Sequence, residues 1–283
     1  MKKLIGLFVI IVATMAFVSC EPVEDRLELK GAISEAEIDQ YMDIKQETIE
    51  GKLSNYFSFQ VKNGLQGSPS FKHGLGTLVG TSNGYIQCYV VSGDVNIVFT
   101  VLNPDGSRVS KAYPYTVEEC FNVAPEWALF CGSGSKTWTW DEDAGVGYHG
   151  MGDVFDDGAT WWNIPDPESR VPGEGIGATM TLSADGATLT KVRTDGSTES
   201  GTFGFDMSKQ HAGYSRSLGQ FTTNSTNVLA GRNTKGGEFV TLYEIVKLTE
   251  DEFRLCVIDM DEPYLPDSEG WGQSTHWLFK AVD

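Results

Sequence analysis

Short segments in which apolar and polar residues alternate recur from Asn55 to the end of the chain. FSFQV and VNIVFTVLN are two of them, and Asx-Gly pairs stand at positions 63–64, 83–84 and 105–106. An apolar side chain at every second position suits a strand with one buried face, and an Asx-Gly pair favours a tight hairpin turn. The sequence therefore predicts an all-β protein with antiparallel sheets.

The strand-like segments form two groups, which predicts two β domains. Residues 54–120 hold strands with the length and turn spacing of a small β-sandwich. Residues 134–283 contain consecutive hairpins, with Asp-Gly turns at 185–186 and 195–196. Consecutive hairpins indicate a meander that closes either as an antiparallel β-sandwich or as a lipocalin-like barrel, and the pattern leaves both closures open. The two domains are expected to meet near residues 118–134.

The N-terminus has the features of an export signal. Lys2 and Lys3 precede an apolar run that is too short for a membrane span and ends at a small residue before Cys20. This pattern predicts a signal peptide over residues 1–19. FVSC resembles the lipobox of bacterial lipoproteins, in which the cysteine is acylated and anchors the mature chain in a membrane. The alternative is a plain secreted protein in which Cys20 is incidental.

Residues 20–53 are predicted to form an acidic tether. EPVED after the cysteine resembles the signal that sends lipoproteins of Bacteroidota-type bacteria to the outer face of the outer membrane. Further along, Ser34 and Glu37 have the spacing of a capping box, and apolar residues follow at helical intervals. Lys45 interrupts this apolar stripe. A short helix lying on the first domain and a flexible stalk therefore both fit the segment.

Charge and cysteine usage restrict the partners. The formal net charge is -18, and such an acidic surface repels phosphate backbones, which excludes nucleic acid as a partner. The four cysteines after Cys20 do not have the spacing of zinc ligands. They are either free thiols or, for one pair, a disulfide formed after export. These cysteines are Cys88, Cys120, Cys131 and Cys256, and the pair would be Cys120 with Cys131.

Two parts of the chain resemble known proteins. GYIQCYVVSGDVNIVFTVLNPDGSRVSKAYPYTVEE resembles the later strands of a PKD-type, immunoglobulin-like module, which implies a spacer over residues 54–120. That module, followed by a set of short Trp and His motifs, resembles surface lipoproteins of Bacteroidota polysaccharide-utilisation systems. The resemblance implies a surface protein that holds a polysaccharide for neighbouring enzymes, transporters and glycan-binding proteins. The matching motifs are Lys136-Thr137-Trp138, Trp140-Asp141, His149-Gly150 and Trp161-Trp162.

Four of the seven tryptophans lie in residues 133–165, a segment rich in Gly and Asp. In a strand, Trp138 and Trp140 would share one face, where they either stack on successive sugars or fill the core. Neighbours in an extended chain point in opposite directions, so one ring of the Trp161-Trp162 pair is expected inside and the other facing a ligand. The predicted sugar-binding residues are Trp161, Trp162, Trp138, Trp140, Tyr148, His149 and Trp271.

The aspartates of this segment have two interpretations. Asp141, Asp143 and Asp153 offer clustered oxygen ligands, and calcium takes six to eight oxygens. Asp and Gly also form ordinary solvated turns, and the D-x-D-x-G spacing lacks the distal Glu of an EF-hand loop. A structural calcium ion is therefore one alternative, and no other cofactor is predicted.

The sequence lacks two motifs of common enzyme classes. HExxH and Walker-type loops are absent. VIDMDEP supplies Asp259, Asp261 and Glu262, but Asp259 stands where a β-glucanase-like E-x-D-x-x-E motif has Glu. We therefore expect a non-catalytic glycan-binding protein. The alternatives are a glycoside hydrolase of the same system and a structural or adhesin-like surface protein.

Overall fold

The computed structural model describes residues 30–80, 84–211, 213–259 and 272–282. These residues form seventeen strands and a few short helices, so the all-β prediction is confirmed. Within the described ranges, the helices are too short to reach across a bilayer. The predicted signal peptide over residues 1–19 and the lipidation site Cys20 lie outside the described residues.

Two antiparallel sheets packed on one core form the first part of the fold. Their strands are β1 (Met42–Ile49), β2 (Lys52–Val61), β3 (Ser68–His73), β4 (Gly76–Val79), β5 (Gly84–Gln87), β6 (Gly93–Leu102) and β7 (Arg108–Val117). The sheet orders are β1-β2-β5 and β4-β3-β6-β7. Phe59 of the first sheet packs on Phe71 of the second, with ring centroids 4.7 Å apart, and Phe71 packs on Phe99 at 4.6 Å. The two sheets therefore share an aromatic core.

The segment after Ser34 does not form the amphipathic helix that its pattern favours. A short 3-10 helix spans Glu35–Gln40, and its capping box is present, with the Ser34 backbone N–H donating to Glu37 at 2.8 Å. The chain then enters β1, where Lys45 lies on the exposed side, and this strand position explains why the helical stripe was interrupted. Because Ile38 is fully buried, this part of the predicted tether belongs to the packed fold.

Eight of the remaining ten strands close into an antiparallel barrel. The ten are β8 (Ser135–Trp140), β9 (His149–Asp153), β10 (Trp162–Asn163), β11 (Thr179–Ser183), β12 (Thr188–Val192), β13 (Thr198–Asp206), β14 (Gly219–Asn224), β15 (Leu242–Leu248), β16 (Glu252–Ile258) and β17 (Gln273–Ala281). Strands β11 to β17 each pair with the next, β8 pairs with β11, and β17 pairs back with β8 through Phe279 opposite Trp140. Of the two closures left open by the sequence, the structure has the barrel.

Strands β9 and β10 extend the barrel on one side. The first half of β17 pairs with β9, so that Trp277 lies opposite His149, and only its second half pairs with β8. Strand β10 pairs with β9, with Trp162 opposite Met151, and forms the outer edge of the ten-stranded sheet. The tryptophan pair of the Gly-rich segment is therefore carried on a sheet edge outside the barrel.

Helix α1 (Glu126–Cys131) closes one end of the barrel. Phe130 packs on Phe221 and Phe253, with ring centroids 5.5 Å and 5.2 Å apart, and the Nε1 of Trp138 donates to the carbonyl oxygen of Phe130 at 3.1 Å. The segment between the two groups of strands is therefore a plug for the barrel core as well as a connection. Loops cover the opposite end, which we call the barrel mouth. These loops comprise residues 171–178 and 225–241.

The cysteines among the described residues are free thiols, and Cys120 is not bonded to Cys131. Burial raises the pKa of Cys88, Cys131 and Cys256 to about 12 each. At neutral pH these groups are protonated and act as small apolar side chains within the packed cores.

Candidate binding site

The glycines of the Gly-rich segment let its loops pack tightly on each other. A Cβ at Gly150, where φ is 141°, would collide with the carbonyl oxygen of Trp162, and one at Gly158 would meet the carbonyl oxygen of Gly147. Only glycine permits such close backbone approach. The segment thus holds β10 firmly against β9, and this explains why glycine and tryptophan are concentrated in the same stretch.

Trp161 and Trp162 both reach solvent. Their exposed fractions are 42% and 48%, so the expectation that one ring of the pair would be inside is wrong. The reason is that β10 is a two-residue strand at the outer edge of the sheet, and both of its residues are exposed in the described part of the chain. The guanidinium carbon of Arg170 lies 5.9 Å from the centroid of the Trp162 ring, a cation–π contact. We call this part of the sheet edge, with the two rings and Arg170, the tryptophan edge.

Trp138 and Trp140 fill the barrel core, and this corrects their assignment as sugar-binding residues. Both are buried because the closure of β8 into the barrel turns its alternate side chains inward. The Nε1 of Trp140 donates to the carbonyl oxygen of Glu174 at 3.0 Å, so its polar atom is also satisfied internally. Tyr148 is buried as well, and its hydroxyl donates to the carbonyl oxygen of Pro165. None of the three side chains presents a face to a ligand.

His149 is a core residue too, which corrects its prediction as a hydrogen-bond partner for a glycan. Its ring lies between Trp140 and Trp277, with centroids 5.3 Å and 5.4 Å away, and its Nδ1 is 3.0 Å from the carbonyl oxygen of His276. Complete burial lowers the pKa of His149 to about 4. The imidazole is therefore neutral at physiological pH and stabilises the junction of β9 with β17. Trp271 lies outside the described residues.

The three aspartates considered as calcium ligands have separate local roles. Asp143 forms an ion pair with Lys280 at 2.7 Å, and Asp153 accepts hydrogen bonds from the backbone N–H groups of Phe155 and Gly272 at 3.0 Å. Asp141 is buried at the end of β8. In the part of the chain that the structure describes, no three His, Cys, Asp or Glu side chains approach closely enough to hold a metal. The three carboxylates do not come together as one ligand set.

A charged network at the barrel mouth has no counterpart among the residues predicted from sequence. Lys191 on β12 is buried, and its Nζ lies 2.7 Å from Glu174, 3.1 Å from Asn227 and 3.4 Å from Glu199. Arg193 contacts both carboxylates through its Nη2. Two acids and two bases thus alternate around one point. We call this set of five residues the charged mouth.

Strand geometry and loop packing hold the charged mouth in place. Lys191 and Glu199 are direct partners in the pairing of β12 with β13, and both side chains face the barrel interior. The second oxygen of Glu174 accepts the backbone N–H of Ala230 at 2.7 Å, which fixes the two covering loops to each other. Although burial opposes ionisation of Glu199, the hydrogen bond from Thr226 and the charge of Lys191 lower its pKa.

A cavity of about 340 Å³ opens above the charged mouth. Buried and half-buried polar groups form its base, whereas Phe239 in the 225–241 loop is 57% exposed beside it. A recess with convergent polar groups and an aromatic ring is the usual form of a small-ligand site in the mouth of a β-barrel. Its other lining residues are Val171, Ser225, Thr226 and Thr241.

Comparisons of the sequence with known proteins do not identify a family for this chain. The chain matches no protein-family model and no curated protein sequence. The tryptophan edge and the charged mouth are therefore the features of the structure that bear on function.

Proposed function

We propose that this protein binds a polysaccharide without cleaving it, as a lipid-anchored protein on the outer face of a bacterial outer membrane. The observation that supports this proposal best is the pair Trp161-Trp162, which remains exposed on a glycine-packed edge strand. Three other tryptophans, Trp138, Trp140 and Trp277, are fully buried, and Trp127 is half-buried against the barrel core. Adjacent exposed indoles on a rigid edge are typical of a binding surface.

Indole rings suit carbohydrate because the C–H faces of a pyranose pack well on an aromatic face. Each ring of the tryptophan edge would contribute about 0.5–1.5 kcal/mol beyond area burial. Such a site has modest affinity for one chain segment. Repeated segments of a polymer compensate through avidity, especially when many copies of the protein sit on one surface.

The proposed arrangement of the whole chain follows from the lipobox-like FVSC and the acidic residues after it. Acylated Cys20 would hold the chain at the membrane, the PKD-like module over residues 54–120 would act as a spacer, and the barrel would present the glycan to neighbouring transporters and enzymes. A structural or adhesin-like role would use the same fold without a saccharide on the tryptophan edge.

Trp161→Ala and Trp162→Ala are each expected to weaken polysaccharide binding about three- to tenfold, because each removes one stacking ring. Affinity gels containing plant, algal, fungal and host glycans would measure this as reduced retardation. Tyr85→Ala is the matched control, since it removes an exposed ring from β5. If no glycan retards the protein, or if both tryptophan variants migrate like the wild type while folded, the proposal is wrong.

Measurement of reducing ends, run beside the affinity gels, separates binding from hydrolysis. A glycosidase needs one carboxylic acid with a raised pKa beside a carboxylate, whereas the pKa of Glu199 is lowered and Glu174 is bonded to two cations. Burial does raise the pKa of Asp259, which follows β16, but this carboxyl accepts a hydrogen bond from Thr275 at 2.6 Å. Asp261 and Glu262, its neighbours in sequence, lie outside the described residues. We expect no new reducing ends, and their release would favour the hydrolase alternative.

Cys20→Ala is expected to move the protein from the membrane fraction to the soluble fraction, because it removes the residue that would be acylated. Fractionation of cells that produce the wild type and the variant would measure this shift. Surface protease accessibility of the wild type tests the outward orientation. Unchanged membrane partitioning of the variant would contradict the lipid anchor.

A further inference from the structure

We infer that the cavity above the charged mouth binds one neutral sugar residue, the end of the glycan chain that lies on the tryptophan edge. This inference takes its class of ligand from the proposed function and adds a second, separate subsite. The cavity volume of about 340 Å³ is at the lower end of the range of about 300–1,000 Å³ for small-ligand sites. It therefore suits a single small ligand and cannot enclose a polymer.

The charges of the mouth favour a ligand without net charge. Glu174 and Glu199 are balanced by Lys191 and Arg193, and each acid contacts both bases. Among the described residues that line the cavity, no ionic group is left over to compensate a charged ligand. The acidic character of the whole chain, with a formal net charge of -18, further disfavours an anionic sugar such as a uronate.

Hydrogen-bonding groups at the mouth match vicinal hydroxyls. The Nη2 of Arg193 is used by the two carboxylates, but its Nε and Nη1 donate to no atom of the described chain. One oxygen of Glu199 accepts from Lys191 and Thr226, while the other accepts from Arg193 alone. A guanidinium donor thus stands beside a carboxylate with spare acceptor capacity. Adjacent sugar hydroxyls each donate and accept, so this pair can bind two of them together.

Phe239 supplies an apolar contact for the sugar face. Its ring is more than half exposed and lines the cavity, and the guanidinium carbon of Arg232 lies 3.9 Å from its centroid. This contact holds the ring in position. The C–H face of a hexose could pack against the ring while its hydroxyls reach the polar base.

The cavity and the tryptophan edge are neighbours through Arg170. Its side chain stacks on Trp162 and donates to the carbonyl oxygen of Asn233 at 3.2 Å, and the next residue, Val171, lines the cavity. Asn233 belongs to the same 225–241 loop as Phe239. A chain lying on the tryptophan edge can therefore place its terminal residue in the mouth.

The test is titration calorimetry of the full chain with glucose, galactose, mannose, xylose, N-acetylglucosamine and galacturonate. We expect at least one neutral sugar to bind more tightly than galacturonate. Phe239→Ala and Arg193→Gln should each weaken that binding about tenfold, since each removes a contact to the sugar. Retardation of the wild type and of Trp162→Ala by the polymer is measured alongside, as the separate test of the tryptophan edge. Tyr85→Ala is the control for removal of an exposed ring elsewhere.

The outcomes separate this inference from the proposed function. If no sugar of the panel binds, or if binding is the same in Phe239→Ala and Arg193→Gln as in the wild type, the mouth subsite is wrong. A preference for galacturonate would also overturn it. Polymer retardation that depends on the tryptophans would then still support the proposed function. Conversely, sugar binding at the mouth without polymer retardation would support this subsite and contradict the tryptophan edge.

Discussion

Glu174→Leu is expected to lower the free energy of unfolding of the barrel by about 3–5 kcal/mol, the usual cost of leaving one charge of a buried ion pair uncompensated. Glu174 and Lys191 are both almost fully buried and lie 2.7 Å apart. Without the Glu174 carboxylate, the ammonium group of Lys191 retains the contacts to Asn227 and to the more distant Glu199. The backbone N–H of Ala230 also loses its acceptor, so that the two loops over the mouth are no longer joined by this bond.

A double-mutant cycle distinguishes the ion pair from simple loss of volume. Lys191→Met should be as costly as Glu174→Leu, whereas the double variant should lose clearly less than the sum, because no buried charge is left unpaired. Glu199→Gln is the matched control, and its half-exposed position predicts a cost of less than about 1 kcal/mol. Urea unfolding followed by tryptophan fluorescence measures all five proteins, the four of the cycle and the Glu199→Gln control. Additive losses, or a cost of Glu174→Leu no larger than that of Glu199→Gln, would contradict this account.

The strands could be predicted from sequence because their signals are local. The alternation in VNIVFTVLN and the Asp-Gly turn at 195–196 are set by neighbouring residues, and both lie where the structure has strands and a hairpin. Closure of the barrel depends instead on β8 pairing with β17, almost at the other end of the chain. No local pattern specifies that contact, and it is this contact that turns Trp138 and Trp140 into core residues.

The charged mouth was difficult to predict for a related reason. Its residues come from two strands, the turn that joins them and two loops, and none belongs to a motif. One signal was present: in TLTKV, the alternation places Lys191 on the same face as Leu189, which is the buried face. A lysine in an inward position is rarely buried without a partner. The position of the partner, Glu174, follows only from the packing of its loop over the barrel end.

The sequence predicted that one ring of the Trp161-Trp162 pair would be exposed, whereas the structure exposes both. This difference has a physical cause. The alternation rule for an extended chain assumes that one face of the strand is covered. Strand β10 has only two residues and stands at the sheet edge, and within the described residues both of its side chains are exposed. Both indoles therefore remain half-exposed, and this favours the pair as a binding surface more strongly than the sequence alone did.

Acid is expected to destabilise the barrel already between pH 6.5 and about 4, because two histidines are buried in neutral form. Burial lowers the pKa of His149 and of His276 from 6.5 to about 4. Arg170 near His149 also opposes its protonation. Within this pH window the unfolded chain binds protons that the folded barrel does not bind. The free energy of unfolding therefore falls as the pH falls, and the stabilisation is fully present only above about pH 6.5.

Each imidazole should contribute a slope of about 1.4 kcal/mol per pH unit in this window, and the two together roughly twice that. Urea unfolding measured at half-unit steps from pH 8 to pH 4.5 gives the slope directly. His149→Gln should lower this slope by the contribution of about one proton, about 1.4 kcal/mol per pH unit. We expect this decrease whatever the variant does to the free energy of unfolding at pH 8. Above pH 7 both proteins should have the same pH dependence, which serves as the internal control. A wild-type slope below that of one proton, or an unchanged slope in His149→Gln, would mean that the imidazole between Trp140 and Trp277 already carries its proton in the folded barrel.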